Sequence, residues 1–212
     1  LCAAVREVSP ETFILVDAVS SLAGSKIEMD AWDIDFLLTS SQKCLALPPG
    51  LSLAGVNDRC LQKAEKVANR GWYFDLLLLE KHRLKDSTGM TPVIPLIYAL
   101  DFQLDRIFAE GLDARFARHA AMSQRVYDWS RAHGMSTYAD AACLSKTVAT
   151  INNDRNLSIP DLNKFLMEKH QMRISNGYGD LKDKTFRIAT MGETTLQDVD
   201  TLLAGMEAFM AK

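Results

Sequence analysis

The sequence predicts an α/β protein in which a mostly parallel sheet leads into a smaller α+β domain. Three short apolar runs, over residues 12–19, 35–41 and 51–56, are nearly continuous rather than alternating. Such runs are typical of strands covered on both faces in a parallel sheet. The second half of the chain instead mixes amphipathic helices with short strand candidates, which is typical of a small α+β domain. We therefore expect a first domain over residues 1–110 and a second over residues 111–212.

Helical spacing of apolar residues predicts helices over residues 57–70, 95–111 and 112–134. Gly111 separates the last two, because glycine is a frequent helix stop. Residues 85–96 contain glycine and two prolines, so we predict a loop or an extended crossing segment there.

In the second domain, Ser158 is predicted to be the N-cap of a helix over residues 158–170. A final helix is predicted from the apolar stripe that begins at Leu196, with Thr194 and Gln197 as its capping box. Three strand candidates accompany these helices: residues 146–152, 172–177 and 185–190.

The composition argues against several classes of function. The formal net charge of −3 indicates no basic surface for nucleic acid, and no apolar run approaches the roughly 20 residues that span a bilayer. The four cysteines are scattered without C-x-x-C spacing, which favours reduced thiols in a cytoplasmic protein. No histidine stands near a second ligand type at metal spacing, so we predict no metal site and surface positions for the histidines, His119 included.

Two strands that are predicted to be buried each end near one polar residue: Asp17 in "ILVDAVSSLAG" and Lys43 in "DFLLTSSQKCLALPPG". Taken singly, such residues are more often turn formers or solvated surface groups. In an open α/β sheet, however, ligands bind beyond the carboxyl ends of the strands, where both residues fall. A carboxylate and an amine facing one cleft are the minimum for pyridoxal 5′-phosphate, because the amine carries the aldehyde as an imine and the carboxylate keeps the pyridine nitrogen protonated.

The sequence around this pair closely resembles the class V aminotransferase family. The resemblance rests on "VDAVSSLAG" followed by "SSQK", and continues through "PPGLSL", "TPVIPLIYAL" and "FRIATMGETT", in the order of the family. These are fold type I pyridoxal-phosphate enzymes that include alanine–glyoxylate and serine–pyruvate transaminases. The resemblance covers essentially the whole chain, as the second half of that family, so residues 1–110 are expected to be the C-terminal part of the cofactor-binding large domain.

The resemblance implies roles for five residues of the first domain. Lys43 would form the internal aldimine and then move the proton between the substrate Cα and the cofactor's C4′, while Asp17 would pair with the pyridinium nitrogen. Val19, two residues further on and so on the same side of the strand, would pack against one face of the ring. Gln42 would hydrogen-bond the cofactor phosphate. Thr91 would reach the phosphate of the partner subunit's cofactor, which implies a homodimer with the active site at the subunit interface.

Arg187 lies within the apolar strand candidate "TFRIAT", where an unpaired guanidinium is costly to bury. One interpretation is a structural carboxylate partner. The resemblance favours another, in which Arg187 holds the α-carboxylate of the substrate as a bidentate clamp. The implied substrates are a small amino acid such as alanine or serine, and a 2-oxo acid such as glyoxylate or pyruvate.

The match begins late in the family's sequence. The chain starts at Leu1 and runs almost at once into "ETFILVDAV", which is typical of sequence inside a domain. We infer a C-terminal portion of a longer protein, whose preceding part would supply a phosphate-binding loop and the aromatic residue that stacks on the ring. These 212 residues alone are therefore expected to bind the cofactor poorly, and the activity is assigned to the longer protein.

Two alternatives stay open at this point. A cysteine desulfurase or another lyase of the same fold usually carries a histidine before the lysine, whereas Gln42 precedes Lys43 here. A non-catalytic dimerisation fragment is the other alternative, and it gains weight only from the late start of the match.

Overall fold

The computed structural model describes residues 1–211, which form two compact units. The first unit contains Leu1–Val19 and Ile27–Leu104. The second contains Ser20–Lys26 together with residues 105–211. A short segment that follows the first strand of the chain therefore belongs to the second unit.

The first unit is built from strands and helices that occur in this order: α1 (Cys2–Val8), β1 (Leu15–Asp17), β2 (Phe36–Ser40), β3 (Ser52–Val56), α2 (Asp58–Glu65), α3 (Leu76–Arg83) and α4 (Ile94–Glu110). The three predicted strands are present but shorter than their apolar runs. Helices α1 and α3 were not predicted from the sequence. The first unit ends inside α4, at Leu104, whereas the domain boundary expected from the sequence falls at the end of that helix.

The sheet of the first unit has the order β1-β2-β3, with β1 parallel and β3 antiparallel to β2. Leu15 pairs with Phe36, and Asp17 pairs with Leu38. Paired residues point to the same face of a sheet, and successive residues of a strand alternate between faces. These four side chains and that of Ser40 therefore share one face.

The opposite face of this sheet is buried along β2. Leu37 and Thr39 of β2 point into it and are almost inaccessible to solvent. Gly55 of β3 pairs with Leu37, and a Cβ at position 55 would lie only 2.6 Å from Sδ of Met29. Glycine at position 55 thus lets the segment before β2 pack directly onto the sheet.

The buried carboxylate of Asp35 stabilises the side of the sheet at which β2 begins. Asp35, immediately before β2, is fully buried and accepts hydrogen bonds from the Ile14 N–H (2.7 Å), Arg6 Nη2 (2.7 Å) and Asn57 Nδ2 (3.0 Å). Burial favours a higher pKa for Asp35, but these hydrogen bonds outweigh it and hold the pKa below the usual range. The carboxylate therefore joins the residues before β1 and after β3 to β2, and it fixes α1 through Arg6.

The second unit contains these further elements: α5 (Leu112–Ala132), β4 (Val148–Asn152), α6 (Ile159–His170), β5 (Ser175–Asn176), β6 (Thr185–Ala189) and α7 (Leu196–Met210). The sheet order is β4-β6-β5 and both pairings are antiparallel. The helices and strands predicted for this half are confirmed, although β5 is only two residues long. No helix in residues 1–211 combines the length and apolar character that crossing a bilayer requires.

The core of the second unit lies between its sheet and its helices. Met122 and Trp129 of α5, Phe186 of β6 and Met206 of α7 are among its buried members. His119 of α5 is also fully buried, with Nδ1 2.8 Å from the carbonyl oxygen of Arg115, so the prediction of a surface position for this histidine is wrong.

The capping box of α7 lies one residue later than predicted. Thr195 is the N-cap and accepts from the Asp198 N–H, while the Asp198 carboxylate accepts from the Thr195 N–H at 2.8 Å. The Thr194 hydroxyl instead donates to the carbonyl of Met191 in the preceding turn. The prediction of Thr194 and Gln197 is wrong because two adjacent threonines offer the same local signal, and the carboxylate at position 198 decides between them.

Candidate active site

Lys43 lies in a tight turn after β2, and buried neighbours hold this turn in place. Before the lysine, Ser41 is fully buried and its hydroxyl donates to the carbonyl of Pro48 at 2.7 Å. After it, Cys44 and Leu45 are buried in the first unit. The half-buried Lys43 side chain is therefore held at the carboxyl end of β2 by anchors on both sides.

Asp17 is the last residue of β1, and its carboxylate is exposed. One oxygen, Oδ1, accepts the N–H of Val19 at 2.9 Å, which is the arrangement of an Asx turn. Among the described residues, no cation pairs with this carboxylate. Asp17 is thus oriented by its own turn, and its other oxygen is available to a ligand.

The strand register brings Asp17 and the Lys43 turn to one edge of the sheet. Asp17 pairs with Leu38, and the next N–H, of Ala18, donates to the Leu38 carbonyl at 2.8 Å. Because β1 and β2 are parallel neighbours, their carboxyl ends lie side by side. This is the edge of an open α/β sheet at which ligands bind.

Ser40, the last residue of β2, is a candidate that the sequence analysis missed. Its Oγ is buried and has no hydrogen-bond partner among residues 1–211. It points to the same face of the sheet as Asp17. A buried hydroxyl without a partner is costly unless a ligand or water satisfies it. The sequence signal was alternation from Leu38 to Ser40, but it has meaning only once Leu38 is known to pair with Asp17.

Val19 and Gln42 lie beside these residues, in irregular backbone. Val19 is half-buried in the turn after β1, so the strand-alternation argument for its position is wrong: the strand has already ended at Asp17. Gln42 is exposed next to Lys43.

Thr91 lies exposed in the loop before α4. The helix that follows it carries a row of exposed apolar side chains, Ile94, Ile97, Tyr98 and Phe102. Ile97 and Tyr98 follow Ile94 by three and four residues, and Phe102 follows Tyr98 by four, which places them on one face of α4. An apolar stripe of this kind marks a surface that another molecule can cover.

Arg187 lies in the second unit, at the centre of β6. Its Nε and Nη2 atoms donate to the carbonyl oxygen of Asn176, at 3.2 and 3.1 Å. Among residues 1–211 no carboxylate lies within ion-pair distance of this guanidinium. The structure therefore does not support a structural carboxylate partner, and the charge of Arg187 is open to an anionic ligand.

No three side chains of His, Cys, Asp or Glu gather as metal ligands would anywhere in residues 1–211. No disulfide joins any of the four cysteines, all of which lie in residues 1–211, and Cys44 and Cys60 are buried. Burial, followed by the nearby charge of Asp35, raises the pKa of the Cys60 thiol, which stays protonated at neutral pH.

Comparison with known proteins gives a consistent result. The model of the aminotransferase class-V family matches residues 2–202. The chain is 33% identical over 204 residues to the alanine–glyoxylate aminotransferase of Oryctolagus cuniculus, a match that covers 91% of this chain and 51% of that protein. It is 32% identical over 199 residues to an uncharacterized aminotransferase of Methanocaldococcus jannaschii, covering 93% of this chain and 52% of that protein. The chain thus spans about half the length of these curated relatives.

Solved structures agree. The alanine–glyoxylate aminotransferase of Nostoc sp. superposes with a TM-score of 0.89 at 28% identity, covering 99% of this chain and 56% of that one. A cysteine desulfurase of Thermococcus onnurineus has a TM-score of 0.73 at 16% identity, over 98% of this chain and 55% of that one; this likeness concerns the fold alone. Since the family model covers nearly the whole chain, the protein belongs to the class V aminotransferase family, a family of fold type I pyridoxal-phosphate enzymes.

Proposed function

We propose that the full-length protein is a pyridoxal-phosphate-dependent aminotransferase that moves an amino group from a small amino acid to a 2-oxo acid. The observation that carries the proposal is the edge of the first sheet, where Asp17 and the Lys43 turn lie at adjacent carboxyl ends. The first unit would correspond to the C-terminal part of the cofactor-binding large domain, and the second to the small domain.

The residues at this edge fit pyridoxal phosphate. When bound, that group supplies an aldehyde carbon and an electron-withdrawing ring. The half-buried Lys43 would hold the aldehyde, and the Asp17 carboxylate would hold the protonated ring nitrogen. The Ser40 hydroxyl offers a hydrogen-bond donor for which residues 1–211 provide no acceptor. Gln42 would donate to the phosphate, and Val19 would pack on the ring.

Proton transfer is assigned to Lys43. Its Nζ, once free, would take the proton from the Cα of the bound amino acid, because the turn holds this side chain at the carboxyl end of β2, where the ligand is proposed to bind. The Asp17 carboxylate would accept the hydrogen bond of the protonated ring nitrogen. The Asx turn supports that role, because it orients the carboxylate before any ligand arrives.

Arg187 would bind the α-carboxylate of the substrate. The guanidinium is half-buried and has no carboxylate partner among the described residues, and its two bonds to Asn176 hold the fork in a set orientation. A planar fork matches a carboxylate in bidentate geometry. We propose alanine or serine as the donor and glyoxylate or pyruvate as the acceptor, supported by the likeness to the two alanine–glyoxylate enzymes.

The partner in the assembly would be a second copy of the protein. The exposed stripe on α4 begins three residues after Thr91, so a partner covering Ile94, Tyr98 and Phe102 would also approach the Thr91 hydroxyl. We propose a homodimer in which Thr91 reaches the phosphate bound by the other subunit. A cytoplasmic location is proposed as well, supported by the lack of a disulfide among the four cysteines of the described residues.

Reductive labelling tests the cofactor proposal. The full-length protein is mixed with pyridoxal phosphate, reduced with borohydride, digested, and the labelled peptide identified by mass spectrometry. We expect the label on Lys43, its loss in Lys43→Ala, and its retention in the control Lys63→Ala, which removes a lysine of α2. A label on another lysine in the wild-type protein, or no label at all, contradicts the proposal.

A donor panel then tests the reaction. Alanine, serine, aspartate and cysteine are offered in turn with glyoxylate, and glycine formation is measured. Glycine from alanine or serine supports the aminotransferase. Sulfide release from cysteine without glycine formation would indicate a desulfurase instead, and labelling of Lys43 with no reaction of any donor would contradict the proposed activity.

A further inference from the structure

The segment Ser20–Lys26 follows Val19 directly in the chain and is bound inside the second unit. Its Ser20 carbonyl accepts a hydrogen bond from the Thr147 hydroxyl at 2.7 Å, and its Ala23 carbonyl accepts one from Arg115 Nε at 3.0 Å. Both donors are almost fully buried. Two separate side chains therefore fix the backbone that leaves the carboxyl end of β1.

The same two residues bind the backbone that leaves β6. The Thr147 carbonyl accepts the N–H of Thr190 at 2.9 Å, and Arg115 Nη2 donates to the Gly192 carbonyl at 3.4 Å. Thr190 is the residue immediately after β6, three positions from Arg187. Thr147 and Arg115 thus each join residues 20–23 to residues 190–192.

Arg115 is held in this role by a carboxylate. Its Nη1 donates to Glu110 Oε2 at 2.6 Å, and the neighbouring Arg118 donates to both oxygens of Glu110. The hydrogen bonds from Arg118 and Arg115 overcome the effect of burial and lower the pKa of Glu110 to about 2. A buried guanidinium that is paired and fully bonded has one well-defined position, because any other leaves a charge unpaired.

We propose that Thr147 and Arg115 are positioning residues for the two chain segments that follow Asp17 and Arg187. They fix residues 20–23 and residues 190–192 through one network of hydrogen bonds in the second unit. The functional half of this inference rests on the proposed function, since it assigns Asp17 to the cofactor and Arg187 to the substrate. We predict that loss of these hydrogen bonds weakens the binding of both the cofactor and the substrate.

Thr147 offers the sharper test because valine has nearly the same shape. Thr147→Val in the full-length protein removes the hydroxyl that donates to Ser20 and that lies 3.3 Å from the Ser145 hydroxyl, but it keeps the carbonyl that Thr190 uses. Thr147→Ser keeps the hydroxyl and is the matched rescue variant. Arg115→Gln is the second variant, with Arg125→Gln on the same helix as its control, because Arg125 pairs with the exposed Asp200.

Amide hydrogen exchange measures whether Thr147 and Arg115 hold residues 20–26 in place, and it needs no substrate. The amides of Gly24 and Ser25 donate to the Ser21 carbonyl, so their exchange reports whether the segment holds its fold. Loss of one buried hydrogen bond corresponds to about tenfold faster exchange in Thr147→Val. We expect Thr147→Ser and Arg125→Gln to exchange as the wild-type protein does. Equal exchange in Thr147→Val and the wild type would overturn the proposal, even if Arg115→Gln fails to fold.

Kinetics and cofactor binding test the functional half. In Thr147→Val we expect the KM of the amino donor and the Kd of pyridoxal phosphate both to rise, by about three- to tenfold, with a smaller fall in kcat. Faster exchange with unchanged KM and Kd would show that the hydrogen bonds of Thr147 have only a structural role, and it would overturn the positioning role. If the wild-type protein takes up no pyridoxal phosphate, the proposed function fails, and the positioning role fails with it. The exchange comparison still decides whether Thr147 holds residues 20–26 in place.

Discussion

Asp35 allows a quantitative prediction about what holds the first unit together. The change is Asp35→Asn, which preserves shape but removes a buried charge that accepts three hydrogen bonds, from Ile14, Arg6 and Asn57. The control is Asp33→Asn. Asp33 also pairs with Arg6, but its side chain is 63% exposed, against 0% for Asp35.

The burial of the two carboxylates sets the expected magnitudes. Removing one member of a buried, hydrogen-bonded ion pair costs about 3–5 kcal/mol. Asparagine keeps one acceptor oxygen but turns an amide toward groups that are themselves donors, so we expect a loss of about 3 kcal/mol at position 35. An exposed pair contributes about 0.5 kcal/mol. Asn is also well tolerated at position 33, where φ is +52°, so the control should be nearly neutral.

Urea unfolding of the full-length protein, followed by far-UV circular dichroism, measures both variants. We expect a clearly lower midpoint for Asp35→Asn and a midpoint close to wild type for Asp33→Asn. If the two variants lose the same stability, the bonds to Arg6 are equivalent and the buried carboxylate does not fasten the sheet as argued.

Three further predictions concern the rest of the molecule. The pKa of Glu110 is lowered to about 2, so the contribution of this carboxylate to stability is complete above about pH 4.5 and is lost as the pH falls toward 2. In Glu110→Gln the melting temperature should therefore depend less steeply on pH over that range. An unchanged slope would contradict the ion pairs of Glu110 with Arg115 and Arg118. Arg187→Gln should raise the KM of the amino donor by roughly 30- to 100-fold with a smaller change in kcat. The KM of Arg187→Lys should lie between those of the wild type and Arg187→Gln, because lysine keeps the charge but not the planar fork. An unchanged KM in steady-state kinetics would contradict the assignment of Arg187 to the substrate carboxylate. Tyr98→Lys, at a side chain 72% exposed on α4, should shift the full-length protein toward monomer in analytical ultracentrifugation, and an unaltered dimer would place the interface elsewhere.

The sequence predicted most of the fold because much of it follows from local patterns. Helices α4 to α7 follow from helical spacing, with Gly111 and Ser158 marking boundaries. By contrast, α3 carries four consecutive leucines and no clear amphipathic period, so its spacing gave no helix signal. His119 was misplaced because its exposure depends on which side of α5 faces the core, and that depends on packing rather than on α5 alone.

The candidate site was predictable only in part. Asp17, Lys43 and Arg187 stand out because each interrupts or ends an apolar run. Ser40 did not, since its significance depends on the pairing of β1 with β2, and register is a property of two strands together. That no carboxylate of residues 1–211 pairs with Arg187 likewise depends on the side chains that surround β6, which no spacing in the sequence reveals.

A crystal structure of the full-length protein with pyridoxal phosphate is the most direct measurement of whether Asp17 and Lys43 serve one ligand. We expect Lys43 Nζ to be bonded to the cofactor's C4′ and a carboxylate oxygen of Asp17 to lie about 2.8 Å from the ring nitrogen of the same molecule. A cofactor bonded to a different lysine, or a ring nitrogen that faces any group other than Asp17, would contradict it.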